Sequence, residues 1–251
     1  MMAISRTLAP IGEAGVFLLA IVRASRPRRD LLTDLVRQLY AIAVRSLPII
    51  AVGGAFVGLV LTLQGYRTLS TFGASNSVGV LLGLSLYREL GPVLTALLFI
   101  GRAGSSMAAE LGLMRATDQI PALSLMAIDP VARVVVPRFW AAIIGLPLLC
   151  GIFCLFAIVA GYFQAVWVIG LDAGYFWSGL RDSVDLIDDF FVALLKCAVF
   201  GLLAALTATH VGFHSEPTIE GTSVATTRAV VNGSLLVLIS NFILSAMLFT
   251  P

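Results

Sequence analysis

An all-α integral membrane protein is the fold class that this 251-residue chain predicts, on three observations. Hydrophobic residues make up 59% of it at a mean hydropathy of +1.00, only 12% of residues are charged, and the uncharged runs approach or exceed the ~20 residues a helix needs to cross a bilayer. Five spans are expected, at about 46–66, 78–106, 131–165, 190–211 and 229–250, so that residues 46–251 form one five-span domain behind interfacial helices in residues 1–45. A net charge of +2, with no basic residues interleaved with aromatics, leaves no footprint for nucleic acid.

The N-terminus resembles a signal peptide, but Pro10 and Glu13 interrupt it and RPRRD stands where small residues would mark cleavage, so retention is expected. Leu8, Ile11, Gly15, Leu18 and Val22 fall at helical spacing on a run too short to span, which fits a helix lying in the interface. After Pro27, Leu32, Leu35, Leu39 and Ile42 predict a second amphipathic helix with Asp30 as its cap. Span one carries Gly54 and Gly58, four apart, the spacing that lets two helices approach closely. Residues 68–77, rich in Ser, Thr, Gly and Asn, predict a turn into span two, which contains Arg88 and Glu89. Asp129-Pro130 predicts a cap and first turn. Span three, uncharged over residues 139–171, is expected to tilt or kink near Pro147. A loop with five aspartates over residues 172–189 then leads to span four.

Orientation follows from the loop arginines. Seven lie in the N-terminal region and four after span two (Arg102, Arg115, Arg133, Arg138), against one each after spans one and three. The N-terminus is therefore expected inside and the C-terminus outside.

Charges within apolar segments are costly unless they face protein, water or ligand, so Arg88, Glu89 and Lys196, the one lysine of the chain, are site candidates. Lys196 either snorkels to the interface or serves as counter-ion to Glu89 and contact for an anionic head group. Gln64 and Arg67 are weaker candidates. The segment after span two predicts a short helix, with Asp118 as cap, Pro121 in its first turn and an apolar side of Leu123, Leu125 and Met126. It either lies on the membrane or docks into a soluble partner, with Leu111, Met114 and the apolar residues of the 120s in contact and Glu110, Arg115 and Asp118 fixing register. Cys150, Cys154 and Cys197 are expected to fill core space. His210, His214 and Glu216 lack a zinc-site pattern, so no metal is expected. There is neither a GxSxG elbow nor a Walker A loop, so any ATP would be bound by another chain, and this chain would be no enzyme.

The run YRELGPVLTALLFIGRAGSSMAAELGLMRATDQIPAL, with DP and VVPRFWA after it and EGTSVATTRAVVNGSLLVLISNFILSAML near the C-terminus, resembles the MlaE/YrbE permeases. The resemblance implies the membrane subunit of an ABC-type phospholipid transporter of a Gram-negative inner membrane. It implies a homodimer with paired ATPase subunits, a STAS-domain protein and a periplasmic MCE-domain hexamer, maintaining outer-membrane lipid asymmetry. Carried over by position, Arg88, Glu89 and Lys196 match charged positions near the lipid cavity, and Gln64, Leu69 and Phe72 its outer wall. Residues 110–127 match the coupling region that meets the ATPase, with Glu110, Leu111, Met114, Arg115, Asp118, Leu123 and Met126 as contacts. Asp118, where glutamate is more usual, and Pro121 depart from the family pattern. A channel, and a structural anchor for an ATPase or MCE protein, are the other classes the residues leave open.

Overall fold

The computed structural model describes residues 2–25, 29–185 and 188–249; the expected cap at Asp30 and the preceding Pro27 fall outside the described side chains. Eleven α-helices follow one another among the described residues: α1 (Met2–Ala24), α2 (Arg29–Ile42), α3 (Leu47–Ser70), α4 (Val78–Ser85), α5 (Gly91–Phe99), α6 (Ser105–Ala116), α7 (Gln119–Leu125), α8 (Val136–Phe163), α9 (Ala173–Ser183), α10 (Asp188–Phe213) and α11 (Ile219–Phe249). Wider π-helical turns occupy Leu86–Leu90, Ile100–Gly104, Val131–Val135 and Gln164–Val168. Five stretches are long and apolar enough to cross a membrane: Leu31–Ser70, Ser75–Ala116, Val131–Val168, Asp189–Phe213 and Ile219–Leu248. The chain is thus a multi-pass membrane protein, in keeping with its composition.

The fold divides into two compact units. One comprises Arg45–Phe99, Leu146–Phe200 and Leu238–Pro251. Here α3 lies against α8 through the glycine pair. A Cβ on Gly54 would stand 2.5 Å from the Phe153 carbonyl oxygen, and one on Gly58 would collide with the Ala157 carbonyl, so only glycine permits this approach. Leu82, Ala165 and Phe176 form a buried cluster that Tyr162 and Leu61 flank. Phe176 belongs to α9, a helix that lies where a loop was expected. Asp172 starts it: its carboxylate accepts from the Gly174 and Tyr175 amides at 2.8 and 3.2 Å. The five aspartates concealed the apolar residues Tyr175, Phe176 and Leu180 between them.

The other unit comprises Met1–Val44, Ile100–Gly145 and Gly201–Val237. Phe17 and Ile21 of α1 are buried, and the Phe17 ring meets His210, Phe213 and His214 at centroid distances of 5.3, 5.7 and 5.2 Å. The indole N–H of Trp140 donates to Ser25 Oγ at 3.0 Å. Arginines close helix ends whose last carbonyls have no partner within the helix. Arg102 donates to the Ala41 carbonyl at the end of α2, and Arg115 to the Phe213 carbonyl at the end of α10, both at 2.9 Å. On α2, Leu32 departs from its expected face: it lies on an exposed stripe with Val36 and Tyr40, whereas Leu35, Leu39 and Ile42 turn inward.

Helix α11 starts ten residues before span five was expected to. Its polar first turns are helical because Thr218 Oγ1 accepts from the Gly221 amide at 2.9 Å and Glu220 sits in the first turn, where the helix dipole favours an anion. Pro147 lies inside the continuous helix α8. Asp129 Oδ1 accepts from the Val131 amide at 3.0 Å, at the start of the π turn that leads into α8.

Candidate functional site

Arg88 and Glu89 sit in the π turn Leu86–Leu90, between α4 and α5. Such turns unseat backbone groups from the regular helical ladder and recur at functional sites. Lys196 of α10 meets this turn: its ammonium donates to the Arg88 carbonyl at 2.7 Å, to Ser245 Oγ at 2.8 Å, and to Glu89 Oε1 at 3.5 Å. Three acceptors match the three N–H bonds of an ammonium, as a buried cation requires. The Lys196 side chain is 0% exposed, so it does not snorkel to an interface. Glu89 Oε2 also accepts from the Asn241 amide at 3.1 Å.

The Arg88 guanidinium points away from Lys196. Its Nε donates to Asp189 Oδ1 at 2.9 Å, and Asp189 Oδ2 accepts from the Asp185 amide at 3.1 Å. Arg88 and Glu89 keep 41% and 42% of their side-chain surface exposed, while Asp189 keeps 6%. The turn thus offers a cation and an anion side by side, each braced from behind. Gly91 follows because nothing larger fits: a Cβ there would stand 2.5 Å from the Leu86 carbonyl oxygen and 2.9 Å from Cys154 Sγ. Cys150, Cys154 and Cys197 are buried free thiols of the same unit.

Asp189, Asn241 and Ser245 were not among the sequence candidates. Asp189 lies seven residues before Lys196 on α10, and Asn241 and Ser245 are four apart on α11, so helical periodicity was the signal that could have found them. Gln64, Leu69 and Phe72 lie at the end of α3 and in the following turn, Gln64 and Phe72 exposed and Leu69 half-buried. Among the described residues none of the three bonds to the Lys196 network.

The segment 110–127 comprises the end of α6, a turn, and α7. Leu111 is fully buried, which corrects its expected contact with a soluble partner. Glu110 accepts from Arg138 at 3.0 Å and Arg115 is held by the Phe213 carbonyl, so both are engaged within the chain. Asp118 precedes α7 but makes no side-chain cap; its backbone is left-handed, φ 55°, which turns the chain instead. Ala127 is left-handed too, at φ 57°. Between these two turns α7 buries Ile120 and presents Leu125, 89% exposed, with Met126 beside it and Leu123 and Met114 half-covered. Leu125, on the apolar side expected from the sequence, is the most exposed apolar side chain of the segment. Among the described residues no group of three His, Cys, Asp or Glu is placed to hold a metal.

The family model described as "Permease MlaE" matches residues 35–247. The chain is 45% identical over 95% of its length, and 92% of the relative's, to the intermembrane phospholipid transport system permease protein MlaE of Haemophilus influenzae. It is 38% identical to a probable ABC transporter permease protein of Rickettsia typhi, over 87% of this chain and 84% of that one. A probable ABC transporter permease protein of Synechocystis is 34% identical over 97% and 91% of the two chains.

Proposed function

The chain belongs to the MlaE permease family, and from that premise we propose that it is the membrane subunit of an ABC-type phospholipid transporter, with ATP bound and hydrolysed by a partner chain. Its setting is the inner membrane of a Gram-negative cell, N-terminus in the cytoplasm and C-terminus in the periplasm. Two copies work with paired ATPase subunits and a STAS-domain protein, and pass lipid to or from a periplasmic MCE-domain hexamer, which maintains outer-membrane asymmetry.

The observation that carries the reading is the pair of half-exposed opposite charges, Arg88 and Glu89, held in a π turn by a fully buried lysine. Arg88 and Glu89 are the groups placed to meet a phospholipid head group; Lys196, with no exposed surface, positions them. Gln64, Leu69 and Phe72 supply apolar and polar wall. ATP-driven movement reaches the site through residues 110–127, with Leu125, Met126 and Leu123 entering the ATPase groove. It acts by changing the affinity of the cavity for lipid, since coupling requires a differential interaction.

The test is the lipid that co-purifies. With its ATPase co-expressed, wild type should retain phospholipid identifiable by mass spectrometry, and Arg88→Ala should retain several-fold less in an equally assembled complex. Equal retention would remove Arg88 from the lipid site, and no specific phospholipid in wild type would overturn the transport reading.

A further inference from the structure

Two cavities within the unit formed by α1, α10 and the first half of α11 share a wall. One, of about 570 Å3, is lined mainly by apolar groups, among them Gly15, Leu206, Leu235 and Leu236. The other, of about 540 Å3, carries Glu216, Glu220 and Arg228. His210 and Asn232 line both. All of these residues lie in the unit that does not contain Lys196.

The order of groups along α11 is informative. Glu220, Arg228, Asn232 and Leu236 succeed one another at eight, four and four residues, an acid, a cation, an amide and an apolar residue that wind around the helix from the charged cavity to the apolar one, with Asn232 in both. At 1.5 Å per residue, the series rises about 24 Å from Glu220 to Leu236. Arginine side chains lean toward the helix N-terminus, which brings the guanidinium of Arg228 closer to Glu220 than the backbone spacing suggests. A zwitterionic phospholipid has the matching order of ammonium, phosphate, ester and acyl chain. Arg228, Glu216 and Glu220 are exposed and make no salt bridge among the described residues. Their charges are therefore available to a ligand.

We propose that these cavities form a second lipid site, for one amine-headed phospholipid, separate from the Lys196 network. The acyl chain lies in the apolar slot beside Gly15, the ester meets Asn232, the phosphate pairs with Arg228, and the ammonium with Glu220 and Glu216. The site stands whether or not the protein transports lipid.

The full chain, reconstituted in phosphatidylglycerol vesicles, is irradiated with phosphatidylethanolamine bearing a diazirine in its acyl chain, and labelled peptides are mapped by mass spectrometry. Label is expected around Leu206, Leu235 and Leu236, and weaker from a diazirine phosphatidylglycerol, which lacks the ammonium. A Cβ added at Gly15 meets nothing within 4 Å, so the backbone there accepts a side chain, and Gly15→Phe is the variant chosen to occupy the slot. Its label should fall about tenfold, the value of roughly two displaced methylenes. Glu220→Gln should abolish the preference between the two lipids. Equal wild-type labelling by both lipids would overturn the head-group assignment, and it needs no variant to be measured. Undiminished label in a folded Gly15→Phe protein would overturn the slot.

Discussion

An ammonium with no exposed surface is tolerated only while its N–H bonds are answered, and at Lys196 a backbone carbonyl, a hydroxyl and a carboxylate answer them. Lys196→Met keeps the volume but leaves Glu89 and the Arg88 carbonyl short of a donor. It should cost about 2 kcal/mol, less than for a wholly buried ion pair because Glu89 remains half exposed and water replaces part of the loss. The thermal midpoint of the purified protein in detergent measures it; an unchanged midpoint would show that the network does not brace the π turn. The sequence marked Arg88, Glu89 and Lys196 as costly in lipid but not how they pair. The answer depends on which rotamers the neighbouring helices permit: Lys196 turns to Glu89 while Arg88 turns to Asp189.

At the scale of elements, the Gly54 and Gly58 spacing on α3 announced a close helix contact, and the carbonyls of Phe153 and Ala157 on α8 are what it meets. Gly58→Ala should therefore destabilise by about 1–3 kcal/mol, as overpacking does. On α8 itself a Cβ at Gly151 meets nothing within 4 Å, so Gly151→Ala should be neutral or slightly stabilising. The two thermal midpoints side by side test the contact, and equal midpoints would sink it. In α7, Leu125→Asp changes a side chain that the chain itself leaves 89% exposed, so folding should be unaffected. Binding of the ATPase, measured by co-purification, should fall at least tenfold if an apolar anchor of about 1.5–3 kcal/mol is lost. Undiminished binding would remove α7 from the interface. Helix α9 was illegible because its charged residues masked the local apolar pattern; its burial comes from packing on α4, which no local window contains.

For the whole molecule, the orientation proposed from the arginine bias would put the turn after α3 outside and the turn before α7 inside. The native cysteines are buried, which keeps the background low for an accessibility assay. With an impermeant maleimide on intact spheroplasts, Ser75→Cys should label and Gln119→Cys should label only after lysis. The reverse pattern would invert the orientation.

Composition and the length of the uncharged runs determined by themselves that this is a helical, multi-pass membrane chain with five candidate spans. Those properties are sums over residues, and a bilayer imposes them on any sequence of this kind. The motif around Arg88–Glu89 likewise sufficed for the family, which the relatives then showed. Only the tertiary structure decided that Lys196 is sealed while its neighbours are exposed, that Leu111 faces inward and Leu125 outward, and that Arg102 and Arg115 close the ends of distant helices. Each of these depends on contacts between residues 60 to 110 positions apart or on which side of a helix a neighbour covers, and neither is encoded in local periodicity.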